Sequence, residues 1–121
     1  MGKTVLIVED DQLHMKLFVD LFEANGISSV YPTDGSDVMP LAAKHRPDLI
    51  IMDIQLPGES GVTHIEKLKA DPDLADIPIL VVTAFAMKGD DQRFLAAGCD
   101  GYMSKPIDAV RFMNTVNTFI E

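Results

Sequence analysis

The chain has 121 residues, nearly half of them hydrophobic, which is the size and make-up of one globular domain with a sizeable core. A formal charge of −9 without any tract of Lys and Arg argues against nucleic acid as a partner, because phosphate neutralisation needs clustered cations. No apolar run reaches the roughly 20 residues of a membrane helix, and Cys99, the single cysteine, forms no internal disulfide and suits a reducing, cytoplasmic compartment.

Val5 to Val8 is a continuous apolar run, too short for a helix and rich in β-branched residues, and reads as a strand buried on both faces. Asp11 is an N-cap for a helix in which Leu13, Leu17, Phe18, Leu21 and Phe22 recur at helical spacing. Asn25-Gly26 stops it, Gly26 supplying the left-handed conformation of a C-cap. Ser28 to Tyr31 is a weaker strand with the character of a sheet edge. A second helix is predicted over Val38 to His45, with Pro40 forcing either a late start, Pro40 then in the first turn, or a kink.

Asp48 to Met52 is the third strand. Ser60 caps a third helix with Val62, Ile65 and Leu68 on its inner face, ended by Asp71-Pro72. Ile79 to Val82 is the fourth strand, followed by a helix running to Gly98. A short fifth strand is centred on Gly101-Tyr102-Met103. Ile107 to Ile120 is the last helix, with Val110, Met113, Val116 and Ile120 as its buried stripe.

Alternation of buried strands and helices without a linker or repeat implies an α/β, (βα)5 domain with a parallel sheet covered on both faces. Right-handed crossovers favour the doubly wound, flavodoxin-like order 2-1-3-4-5, in which function collects at the carboxyl ends of the strands. At those ends stand Glu9-Asp10-Asp11, Asp53, Thr83 and Lys105. Taken singly, each has an ordinary explanation: capping carboxylates, a turn-forming Asp, a strand-favouring Thr, a solvated Lys. The fold changes this by bringing carboxylates, a hydroxyl and an ammonium to one rim. Clustered carboxylates repel unless a cation joins them, and oxygen ligands suit Mg²⁺ or Mn²⁺. A carboxylate beside such a metal can act as a nucleophile toward a phosphoryl group, whose equatorial oxygens Thr83 and Lys105 would contact.

The stretches VLIVEDD, DLIIMDIQLPGESG, ILVVTA and YMSKP, in this order and spacing, resemble the receiver domains of two-component response regulators over the whole chain. More narrowly, MKLFVDLFEANG, VTAFAMKGD and AGCDGYMSKP look like the DivK-type single-domain regulators of bacterial cell division and polarity. The resemblance implies that Asp53 accepts phosphate from a histidine kinase or a histidine phosphotransfer protein. It also implies that Glu9, Asp10, Asp53 and the Gln55 carbonyl surround Mg²⁺, with Mn²⁺ able to substitute. Thr83 and Lys105 then read the phosphoryl group, Lys105-Pro106 is a cis peptide, and Tyr102 is the switch aromatic. Glu9 stands where many receivers have Asp, and its longer arm leaves direct and water-mediated metal contact both open. Gln55 and Phe85 occupy positions that modulate water access in the family. Pro40 has no functional account.

Other readings fit less well. A haloacid-dehalogenase type phosphatase wants an acid two residues after its nucleophile, where Gln55 stands, and a flavodoxin-like carrier would have its flavin phosphate repelled by Glu9-Asp10-Asp11. The intact set of Asp10, Asp53, Thr83 and Lys105 speaks against a degenerate, unphosphorylated receiver. His14, His45 and His64 lack metal-ligand spacing and are expected to be solvated or locally bonded, and Cys99 to be a small core residue. Gly58 and Gly61 do not form a Walker loop. The expectation is one receiver domain over residues 1–121 with no effector domain, acting not as an enzyme but as a monomeric switch. Its signal would leave through the face of the fourth helix, fifth strand and fifth helix to a protein target.

Overall fold

A computed structural model describes residues 2–33, 37–54, 56, 60–84 and 90–120. Five strands, β1 (Thr4–Val8), β2 (Ser28–Val30), β3 (Leu49–Met52), β4 (Ile79–Thr83) and β5 (Gly101–Ser104), alternate with five helices. These are α1 (Gln12–Ala24), α2 (Val38–His45), α3 (Gly61–Ala70), α4 (Asp90–Ala97) and α5 (Ala109–Ile120). The strands form one parallel sheet in the expected order β2-β1-β3-β4-β5. Among the described residues no helix is long and apolar enough to cross a membrane.

Strand period two splits the apolar runs between two cores. Leu6, Val8, Ile50 and Met52 face a cluster with Ile65, Leu68, Phe94 and Cys99. Val5, Ile7, Leu49 and Ile51 face the other side, with Phe18, Phe22, Phe112 and Val116. Burial on both faces is why these strands read as uninterrupted hydrophobic runs rather than as alternating ones. Cys99 is therefore a core residue, and burial pushes its thiol pKa up.

The caps follow the local sequence. Asp11 accepts from the backbone N–H groups of Leu13 (2.9 Å) and His14 (3.2 Å), and Ser60 from that of Thr63 (3.4 Å). Gly26 takes φ 73° just past the α1 C-cap, Asn25. α2 starts at Val38 with Pro40 in its first turn, where a missing N–H removes no helical bond. A clasp not evident from the sequence joins α3 to the far edge of the sheet. Lys69 Nζ donates to the carbonyls of Ala75 and Ile77 and to Asp100 Oδ2, each at 3.0 Å. The same Asp100 oxygen accepts from the Ile79 N–H at 2.8 Å.

Two expected helix faces are corrected. Leu13 and Leu17 on α1 are exposed, Leu13 by 79%, while Phe18 and Phe22 are buried. At about 100° per residue, Leu13 lies roughly opposite the Phe18–Phe22 face. On α5, Val110 is 72% exposed and Phe112 takes its place in the stripe with Met113, Val116 and Ile120. Only the first position of the expected stripe is displaced, because the start of the helix is oriented by Phe112, which packs 5.3 Å from Phe18 and 5.7 Å from Phe22, centroid to centroid. The start of this helix is also two residues later than expected, at Ala109.

This assignment separates two substitutions. Phe112→Ala should cost about 3–5 kcal/mol of stability, and Val110→Ala less than about 0.5 kcal/mol. Urea denaturation of both variants measures the difference, and equal costs would contradict the observed rotation of α5.

Candidate functional site

Parallel register brings the ends of β1, β3, β4 and β5 to one rim. The Asp53 N–H donates to the Val8 carbonyl at 2.9 Å, which carries the β1–β3 pairing up to the candidate acceptor. The Lys105 N–H donates to the Thr83 carbonyl, also at 2.9 Å, and does the same for β4 and β5. Thr83 and Asp53 are buried, Glu9 nearly so, and Asp10 is exposed. Glu9, Asp10 and Asp53 each offer a carboxylate oxygen, and these oxygens lie within 4.8 Å of one another.

Helix α3 fixes the backbone beneath Asp53. A Cβ built on Gly61 would sit 2.0 Å from the Asp53 carbonyl oxygen, an approach that only glycine allows. The Gly61 N–H also donates to the Ile54 carbonyl at 2.9 Å. Asp53 Oδ1 accepts from the Ile54 N–H at 2.7 Å, which leaves Oδ2 turned toward Lys105 Nζ at 3.2 Å. The ammonium also donates to Glu9 Oε1 at 2.5 Å and lies 3.0 Å from His14 Nδ1. The Lys105-Pro106 peptide is cis, as the resemblance implies.

With every group ionised, three carboxylates face one ammonium. Burial pushes the Glu9 carboxyl up to about 7, reinforced by Asp53 and opposed by the bond from Lys105. Burial would lower the Lys105 ammonium, but Glu9 and Asp53 outweigh it and raise its pKa. An all-oxygen donor set carrying excess negative charge fits a hard divalent cation.

The structure thus brings together Glu9, Asp10, Asp53, Thr83 and Lys105. Gln55 and Phe85 lie outside the described residues. Tyr102 is on the neighbouring edge strand, part-exposed, its ring 5.8 Å from that of Phe94. His45 is exposed, and His64 is buried on the inner face of α3. His14 is bonded locally, but to the lysine of the site, a contact that its sequence spacing does not reveal.

The chain belongs to the response regulator receiver domain family, whose pattern matches residues 5–117. It is accordingly a phosphoacceptor signalling switch rather than a catalytic enzyme, and its donor belongs to a histidine kinase pathway. Among its relatives, the polar-differentiation response regulator DivK of Brucella anthropi is 50% identical over 120 residues, covering 99% of this chain and 98% of that protein. DivK of Brucella ovis is 49% identical with the same coverage. The fold is similar to the receiver domain of a Pseudomonas aeruginosa sensor histidine kinase, solved with a magnesium ion coordinated in its active-site cleft. That likeness has a TM-score of 0.89 at 27% identity and covers 99% of this chain and 98% of that one.

The raised Glu9 carboxyl has a consequence for stability. Glu9 binds its proton more tightly in the folded chain than in the unfolded one, where it titrates near 4.5. The stability contributed by that proton is complete below the unfolded value and is lost as pH rises through about 7. In chelator-treated buffer Glu9→Gln should therefore lose less stability than the native protein over that interval, by on the order of 2 kcal/mol. Urea denaturation at a series of pH values measures it, and parallel curves for the two proteins would show that Glu9 is not perturbed.

Proposed function

We propose that Asp53 is the phosphoacceptor. The observation that carries this reading is its carboxylate, buried at the end of the central strand, facing Lys105 and within reach of Glu9 and Asp10. An Asp53 oxygen attacks the phosphorus of a phosphohistidine, the P–N bond breaks, the electron pair leaves with the imidazole, and an acyl phosphate remains on Asp53. Glu9, Asp10 and Asp53, with the Gln55 carbonyl by family resemblance, would hold Mg²⁺, for which Mn²⁺ can substitute. When bound, the cation would neutralise the carboxylates and the charge on the transferring phosphoryl oxygens. Thr83 and Lys105 would contact oxygens that arrive only with the phosphoryl group, so their differential contacts drive the change of state. The donor is a histidine kinase or a histidine phosphotransfer protein.

The DivK relatives, named for polar differentiation and matched over 98% of their own length, support a role in the control of polarity; a single domain acting in the cytoplasm, in cell division or polarity, is the reading carried from the sequence. The output would be binding of a protein target by the α4–β5–α5 face, where Tyr102 acts as the switch aromatic. A groove of about 270 Å³ opens there between Tyr102, Met103, Pro106, Ile107 and Arg111. Tyr102 is one of its lining residues, so inward motion of the Tyr102 ring would reshape the surface.

Acetyl phosphate with Mg²⁺ should add one hydroxylamine-sensitive phosphoryl group to the native protein and none to Asp53→Asn. Intact mass decides it, and phosphorylation of the variant, or of another residue in the native chain, would overturn the assignment. On the output side, Asn114→Arg or Asn117→Arg should weaken capture of the partner by beryllofluoride-treated protein while leaving Asp53 phosphorylation intact. Crosslinks confined to α2 and α3, with both variants binding normally, would place the interface elsewhere.

A further inference from the structure

Among the described residues Lys105 Nζ has three hydrogen-bonding neighbours, and it has three protons to give them. Glu9 Oε1 lies at 2.5 Å, His14 Nδ1 at 3.0 Å and Asp53 Oδ2 at 3.2 Å. An ammonium has no lone pair, so the imidazole nitrogen in that contact must be the acceptor, and the ring proton must sit on Nε2. Asp11 does not compete for that nitrogen. Its Oδ2 is 3.9 Å away, beyond hydrogen-bond reach, and its Oδ1 is engaged by the first N–H groups of α1. The backbone of His14 is one of those N–H groups, so the N-cap that starts α1 also sets where the imidazole stands.

We propose that His14 is a positioning residue for Lys105. Its neutral imidazole and the Glu9 carboxylate act as two anchors for the ammonium, and the third N–H is thereby aimed at the Asp53 oxygen to which a phosphoryl group would be joined. With His14 gone, the lysine keeps its charge but loses its aim, since Glu9 is then its one anchor and only the longer 3.2 Å contact to Asp53 opposes turning of the ammonium about the Glu9 bond. A hydrogen bond to an ionised donor is stronger than one between neutral groups, so the imidazole is a substantial anchor although it is partly exposed.

This inference rests on the reading of Lys105 as the residue that contacts the phosphoryl group, and the test separates the two. Beryllium fluoride with Mg²⁺ is titrated into the native protein, His14→Leu, His14→Gln and Lys105→Ala, and the response is followed by NMR at Tyr102. Loss of the acceptor in His14→Leu should raise the half-saturating concentration about threefold to tenfold, and the acceptor oxygen of His14→Gln should bring it back to within about twofold of native. Thermal unfolding of each variant is measured alongside. In the resting native protein, nitrogen-15 shifts of the His14 ring should report the Nε2–H tautomer.

A native-like His14→Leu beside an impaired Lys105→Ala would leave the lysine reading standing and overturn the role of His14. A native-like Lys105→Ala would overturn both. Equal impairment of His14→Leu and His14→Gln at unchanged thermal stability would show that ring shape matters and not the acceptor, and an Nδ1–H tautomer would exclude the bond altogether.

Discussion

An ammonium held between two buried carboxylates organises the rim of this sheet. Glu9 and Asp53 both sit at strand ends from which water is largely withdrawn, and Lys105 reaches across from the other edge to meet them. Burying one of these charges alone would be expensive, and removing one partner of such a set leaves the others uncompensated. The contact therefore does two things. It makes an otherwise costly group of acids tolerable, and it draws together elements that are far apart in the chain. Burial, reinforced by the neighbouring Asp53, raises the Glu9 carboxyl, and the negative charge left over at the rim is the property that a divalent cation would satisfy.

The order of elements was legible because the three central strands, β1, β3 and β4, are buried on both faces and so are written as short unbroken apolar runs. Three such runs, with helical stretches between them and around them, already imply crossovers and a sheet whose carboxyl ends converge. Once that is granted, Glu9, Asp10, Asp53, Thr83 and Lys105 need no alignment to be placed on one rim, since each ends its strand or follows it within two residues. The caps at Asp11 and Ser60 were equally readable, because capping is a local transaction between a side chain and the next few N–H groups.

What stayed hidden depended on rotation and reach. Leu13 and Val110 are apolar residues in the first turns of α1 and α5, and spacing alone cannot say which of two neighbouring rows of a helix faces the sheet. The aromatic trio of Phe18, Phe22 and Phe112 settles that choice by filling the space between the two helices. His14 has no sequence relation to Lys105. Their contact depends on the pitch of α1 against the rim and on the length of the lysine chain. The clasp made by Lys69 is of the same kind, since its three acceptors come from the α3–β4 connection and the residue just before β5.

The close approach of Gly61 to Asp53 has a mechanical meaning. Carbonyl and helix terminus are packed with no side chain between them, so the tip of β3 and the start of α3 form one stiff body. A displacement of the Asp53 backbone therefore meets α3 directly, through backbone contact and the Gly61 N–H bond to the Ile54 carbonyl. The contact from Asp53 to the end of β5 is different, since it runs through the side chains of Asp53 and Lys105, which turn about their own bonds. The rim thus has a fixed jaw on the α3 side and a movable jaw on the other.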